Sequence, residues 1–100
     1  MNPTQVLALV KARLGISTAV RDVYLTAIIN GVIDELTKEK GIVLDHENGA
    51  HLMFCVDYAT WRYQSVQHHS PVAANNAGSM PRHLQYRLHN LIVSAGGNDV

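Results

Sequence analysis

One segment of the chain, "HLMFCVDYATWRYQSV" at residues 51 to 66, most constrains the fold because it is apolar on two opposite faces of a helix. At about 100° per residue, one face is a core stripe and the other is an aromatic cluster of Phe54, Tyr58 and Trp61. A helix of this kind is usually buried on both sides, and a domain of 100 residues has room for only one such central helix. The segment therefore predicts a central helix with other helices on both sides. The core stripe comprises Leu52, Cys55, Val56, Ala59, Tyr63 and Val66.

The aromatic face has a second interpretation. Aromatic side chains that bury their rings and keep a polar tip are enriched at protein interfaces. Phe54, Tyr58 and Trp61 are therefore also predicted interface residues that face another subunit. The two interpretations are compatible if one end of the face is covered and the other is offered to a neighbour.

Cap residues and hydrophobic spacing mark two helices before the central one. The first begins at Asn2, whose side chain can accept from a free backbone N–H, and Gly15 ends it after Leu14. The second runs from about residue 20 to 40 and is closed by Gly41. Its candidate caps are Ser17 and Thr18, and its apolar residues are Leu25, Ile28, Ile29, Val32 and Leu36.

The second half of the chain predicts a long loop and a last helix. Residues 45–48 cap the central helix, which runs to about Gln67, and residues 67–80 show no period. A last helix opens at Pro81 and stops at Gly96. We therefore expect an all-α fold: a single domain over residues 1–100, a small bundle of about four helices with one long loop before the last helix. The apolar stripe of that helix is Leu84, Leu88, Leu91, Ile92 and Ala95.

Charge and cysteine content limit the classes of function. Lys and Arg together number 8, as do Asp and Glu, so no bulk charge draws the molecule to nucleic acid or to a membrane. The acids gather between Arg21 and Asp57, whereas residues 58–98 contain none. One cysteine cannot form an internal disulfide, and the sequence shows no signal-peptide pattern and no apolar run long enough to span a bilayer. A reducing cytoplasm is the expected compartment of synthesis.

Residue pairs that could support catalysis or metal binding are few. His51 and Cys55 lie four residues apart, which makes them neighbours on a helix. Cys55 falls on the core stripe, however, where a lone cysteine usually acts as a small apolar residue. We therefore expect no enzyme, no cofactor and no metal.

The last helix carries Arg82, Tyr86 and Arg87 outside its apolar stripe. Arg and Tyr on one exposed face can contact phosphates or bases, which makes a small DNA-binding regulator that uses this helix an alternative function. A solvated face is the simpler interpretation, because two arginines are few.

The order of these features resembles a known family. Four segments carry the resemblance: "VLALVKARLGI", "RDVYLTAIINGVIDELTKEKGI", the aromatic third helix, and "MPRHLQYRLHNLIV", in which a Pro opens the last helix after a long loop. Together they cover nearly the whole chain and resemble the small head-tail connector proteins, also called head completion or adaptor proteins, of long-tailed bacteriophages.

The resemblance implies a helical virion protein without catalytic activity. About twelve copies would close head to tail into a ring beneath the portal protein, with DNA passing through the lumen and a stopper or tail protein attached below. The resemblance assigns contacts with neighbours to residues 70–80 of the loop and 81–94 of the last helix. The predicted interface residues there are Ser70, Pro71, Asn75, Asn76 and Met80, and the predicted lumen-facing or partner-facing residues are Arg82, Tyr86 and Arg87.

Overall fold

Four helices make up the part of the chain that the computed structural model describes, residues 1–67 and 80–97. They are α1 (Pro3–Leu14), α2 (Asp22–Asp34), α3 (Gly49–Gln67) and α4 (Arg82–Gly97), and α2 continues into a π-helical turn over Glu35–Glu39. Within the described ranges there is no strand, so the predicted all-α fold is confirmed. The loop predicted at residues 67–80 falls almost wholly on residues 68–79, outside the described part.

The predicted helix ends are confirmed where a specific side chain or a glycine defines them. The Asn2 side chain accepts a hydrogen bond from the Thr4 backbone N–H at 2.9 Å, and Gly15 ends α1 in the left-handed conformation, with φ of 73°. Gly41 has φ of 68° and follows the π-helical turn. Asn48 caps α3, because its side chain accepts from the Ala50 N–H at 2.9 Å.

Two helix ends differ from the prediction. Neither Ser17 nor Thr18 caps α2, whose N-cap is Arg21 without a side-chain hydrogen bond. The reason is a turn in which the Asp22 N–H donates to the Ala19 carbonyl at 3.1 Å and so takes up a free donor at the helix start. The last helix runs through Gly96 and Gly97, which were predicted to stop it. Glycine lowers helix stability by only about 1 kcal/mol, so a helix end can contain it.

The third helix is central, as its two apolar faces predict. It packs against α1, α2 and α4, whereas α4 packs against α3 alone among the described helices. The predicted core stripe of α3 is buried except at Leu52, which is half-buried, and at Val66, whose side chain is not described. The other buried apolar side chains are Val6 and Val10 on α1, Leu25, Ile29 and Val32 on α2, Leu36 and Ile42 after it, and Leu84 on α4.

The aromatic face of α3 belongs mainly to the core of its own chain. Phe54 and Tyr58 are buried, and their ring centroids lie 5.7 Å apart. Trp61 is half-buried and stacks on Tyr58 with centroids 5.9 Å apart. The prediction that Phe54 and Tyr58 face another subunit is therefore wrong, because their own chain covers them; for Trp61 it stays a prediction.

Candidate interaction surfaces

Arg87 ties α4 to the central helix. Its Nη1 donates to Asp57 Oδ2 on α3 at 2.7 Å, and its guanidinium carbon lies 5.4 Å from the centre of the Phe54 ring. Together with the buried Leu84, this fixes which side of α4 meets α3. Arg87 was predicted to face a lumen or a partner; its charge is paired with Asp57 inside the chain while 35% of its side chain is exposed, so that role stays a prediction.

Asp57 joins three helices. Its Oδ2 accepts from Arg87 on α4, and its Oδ1 accepts from Arg13 Nη1 on α1. Because one carboxylate receives two arginines, removal of Asp57 leaves two cations without a partner. Sequence reasoning placed Asp57 on a polar flank of α3 and missed this role, since ion pairs between residues 44 and 30 positions apart have no local sequence signal.

A second polar cluster joins α2 to α3 around Glu35. Tyr58 donates from its hydroxyl to Glu35 Oε2 at 2.5 Å, and Arg62 Nη2 donates to Glu35 Oε1 at 2.7 Å. Burial, followed by the hydrogen bond to Glu35, raises the pKa of Tyr58 to about 12. The cluster satisfies the tyrosine hydroxyl inside the bundle, so it contributes to packing between the two helices.

The pair considered for chemistry, His51 and Cys55, is not brought together by a hydrogen bond. The Nδ1 atom of His51 accepts from the Asp45 backbone N–H at 3.0 Å and so holds the linker before α3. Cys55 is buried, and burial raises the pKa of its thiol to about 11. Few thiolates form at neutral pH under these conditions, so Cys55 behaves as a small apolar residue.

The outer face of α4 points away from α3. It carries Arg82, Tyr86, His89 and Val93, which recur every three or four residues and are all exposed. Tyr86 is the most exposed large apolar side chain of this helix at 68%. The predicted exposure of Arg82 and Tyr86 is thus confirmed. We call these four residues the α4 outer face.

A second exposed face lies on α2. Val23, Ala27, Gly31 and Asp34 recur every three or four residues on the side opposite to the buried Leu25, Ile29 and Val32. Val23 is 85% exposed. We call Val23, Ala27, Gly31 and Asp34 the α2 outer face; sequence reasoning did not single it out.

The remaining predicted interface residues lie at or beyond the edge of the described chain. Ser70, Pro71, Asn75 and Asn76 fall in residues 68–79, outside the described part. Met80 is half-buried and packs against the core. Less of the Met80 side chain is exposed than an interface residue would need, and its role at an interface remains a prediction.

Comparisons with known proteins return no relative: no protein-family model, no curated protein and no solved structure matches the chain. In residues 1–67 and 80–97, no three His, Cys, Asp or Glu side chains gather closely enough to hold a metal ion. Among the helices described, none has the length and apolar character needed to cross a membrane.

Proposed function

We propose that the chain is a structural subunit of the head-tail connector of a long-tailed bacteriophage. In this role about twelve copies form a ring beneath the portal protein. DNA passes through the ring without sequence-specific binding, and a stopper or tail protein attaches to the ring. The protein acts at the head-tail junction of the virion, after synthesis in the cytoplasm of the bacterial host.

The observation that carries the proposal is the presence of two different exposed helix faces on one small bundle. Copies that assemble head to tail into a ring need two unlike, complementary patches on each subunit. The α2 outer face and the α4 outer face are unlike in charge and in side-chain size. The helix order, with a short first helix and a last helix that packs only against the central one among the described helices, supports the same proposal.

The alternative, a small DNA-binding regulator that uses α4, has weaker support. Its case rested on Arg82, Tyr86 and Arg87 forming one exposed face. Since Arg87 donates to Asp57, Arg82 is the one arginine on the α4 outer face. Phosphate contacts dominate the affinity of proteins for DNA, so a single free arginine predicts weak binding.

Electron microscopy of portal particles mixed with the purified protein tests the proposal. We expect an added ring of density on one side of the portal, absent when the portal is imaged alone. Portal particles that gain no density at saturating protein would contradict the proposal. A gel-shift titration of duplex DNA at low salt separates the alternative: salt-sensitive binding that weakens in Arg82→Gln would favour a regulator instead.

A further inference from the structure

We propose that the α4 outer face of one copy packs antiparallel on the α2 outer face of a second copy of this chain. The proposal rests on the proposed ring and names the contact between neighbouring subunits. It is argued from the spacing, charge and size of eight exposed residues, four on each helix.

The two faces match in length. From Arg82 to Val93 on α4 is eleven residues, and from Val23 to Asp34 on α2 is also eleven. At 1.5 Å per residue, each face spans about 16 Å of helix. Side chains on the two faces can therefore meet along their full length, as ridges of one helix fit the grooves of another.

Charge sets the antiparallel direction. In this direction Arg82 at the start of α4 meets Asp34 near the end of α2, and Val93 meets Val23 at the other end. A parallel arrangement would place Arg82 against an apolar valine and Asp34 against another. The described residues of α4 contain no acid, so Arg82 has no carboxylate on its own helix. Asp34 lies 3.6 Å from Lys38 in an exposed pair, and 61% of its side chain remains accessible to an arginine from a second copy.

Side-chain size supports the same register. Tyr86 lies four residues after Arg82, and Gly31 lies three residues before Asp34, so the largest side chain of the α4 outer face meets the smallest residue of the α2 outer face. Gly31 is exposed, and a methyl group placed there would meet only the Arg62 guanidinium, with Nη1 at 3.8 Å, which is an ordinary van der Waals contact. An aromatic ring that approaches the helix backbone at Gly31 would therefore lie beside the guanidinium of Arg62.

One copy cannot make this contact with itself. Both α2 and α4 pack against α3, and among the described elements they do not pack against each other. Each outer face points away from the side that its helix buries. A second copy must therefore supply the complementary face, and because the two faces differ, the contact leaves one free face of each kind for the next copy.

The contact is expected to be weak between two isolated copies. Four side chains on each side over about 16 Å of helix cover less than the roughly 800 Å² per partner of a standard interface. Covalent trapping is therefore the suitable test. Cys55 does not compete in such an experiment, because it is buried and its thiol pKa is raised to about 11.

The experiment mixes two variants of the full chain, Val23→Cys and isotope-labelled Val93→Cys, at about 1 mM under mild oxidation. The contact places these positions within reach of a disulfide, for which the Cα atoms must approach to about 4.4–6.8 Å. We expect disulfide dimers of one Val23→Cys and one Val93→Cys chain to exceed either homodimer several-fold by mass spectrometry. Val43→Cys is the matched control for Val23→Cys, because both valines are 85% exposed.

Two results would overturn the inference. One is an equal yield from the Val43→Cys control; the other is a predominance of Val93→Cys homodimers, which would mean that α4 pairs with α4. Charge reversal then checks the register. Asp34→Lys on the Val23→Cys chain, or Arg82→Glu on the Val93→Cys chain, should each lower the yield several-fold, and both together should restore it. A yield of disulfide dimer that is the same with and without the charge reversals would also count against the contact.

The outcomes separate this contact from the proposed function. A ring on the portal that lacks the Val23–Val93 disulfide would leave the connector role intact and refute this contact. The disulfide without any density on the portal would establish the contact between copies and refute the connector role.

Discussion

Replacement of Asp57 by Asn should destabilise the protein by about 2 kcal/mol, because hydrogen bonds to charged groups contribute about 1.5–3 kcal/mol. Asp57→Asn keeps the shape of the side chain and removes the charge that receives Arg13 and Arg87. The two partners differ in exposure: the side chain of Asp57 is 16% exposed, that of Arg87 35% and that of Arg13 52%. Solvent screens the Arg13 pair most, and exposed pairs contribute only about 0.2–1 kcal/mol.

The contributions should therefore rank in a fixed order. Arg87→Gln should cost about 1–2 kcal/mol, since it also removes the contact of the guanidinium with Phe54. Arg13→Gln should cost at most about 0.5 kcal/mol. The double variant Asp57→Asn with Arg87→Gln should cost little more than Asp57→Asn alone, because the two changes remove the same bond.

Urea unfolding followed by circular dichroism and by the fluorescence of Trp61 measures these free energies. For a chain of this size, about 2 kcal/mol corresponds to a fall in Tm of roughly 8–16 °C. Hydrogen exchange adds spatial information: Asp57→Asn should speed exchange in α4 more than in α1 and α2, since α4 contacts α3 alone among the described helices. The reasoning fails if Arg13→Gln costs as much as Arg87→Gln, or if exchange rises equally in all helices.

Three further predictions concern single positions. Gly31→Ala should stabilise the monomer by about 0.5–1 kcal/mol in urea unfolding, because alanine favours the helix and its methyl group meets only an ordinary contact with Arg62; a loss of stability would mean that the position does not tolerate a side chain. Thr60→Val should stabilise by about 1 kcal/mol, since the buried Thr60 hydroxyl has no hydrogen-bond partner among the described residues; Thr60→Ser, which keeps the hydroxyl and loses a methyl, is the control and should destabilise. Burial raises the pKa of Tyr58 in the folded state to about 12, above the tyrosine value of about 10 in the unfolded chain. The native state therefore keeps this proton to higher pH, and the associated stability is present below pH 10 and lost between pH 10 and 12. Tyr58→Phe should flatten that loss in unfolding measurements against pH, and an unchanged slope would exclude Tyr58 as its cause.

The fold was predictable because helix ends and apolar faces depend on residues that lie close together in the sequence. Asn2, Gly15 and Gly41 define their helix ends through their own side chain or their left-handed backbone, so their positions follow from residue type. The two-faced character of residues 51–66 correctly predicted that α3 is central. No such local signal exists at the start of α2, where a backbone turn replaces the side-chain cap.

The surfaces were less predictable because exposure depends on what other helices cover. Phe54 and Tyr58 form an aromatic face in the sequence, yet only the placement of α2 and α4 decides that this face is buried. Arg87 was predicted to face a lumen or a partner because the sequence does not reveal its ion pair with Asp57, which lies 30 positions away. The α2 outer face was missed because Val23, Ala27 and Gly31 carry no motif. Its exposure follows from the packing of the helices, since no other helix in the described part of the chain covers it.

The π-helical turn at Glu35–Glu39 has a consequence for changes in chain length. Each of its hydrogen bonds spans five residues instead of four, as in the bond from the Lys40 N–H to the Glu35 carbonyl at 3.0 Å. The turn therefore stores one residue beyond what an α-helical turn needs. Loss of a single residue here can be absorbed by tightening to a regular helix, whereas a gain would widen a turn that is already at the rare end of helix geometry. We therefore expect the protein to tolerate deletion of one residue from this turn better than insertion of one.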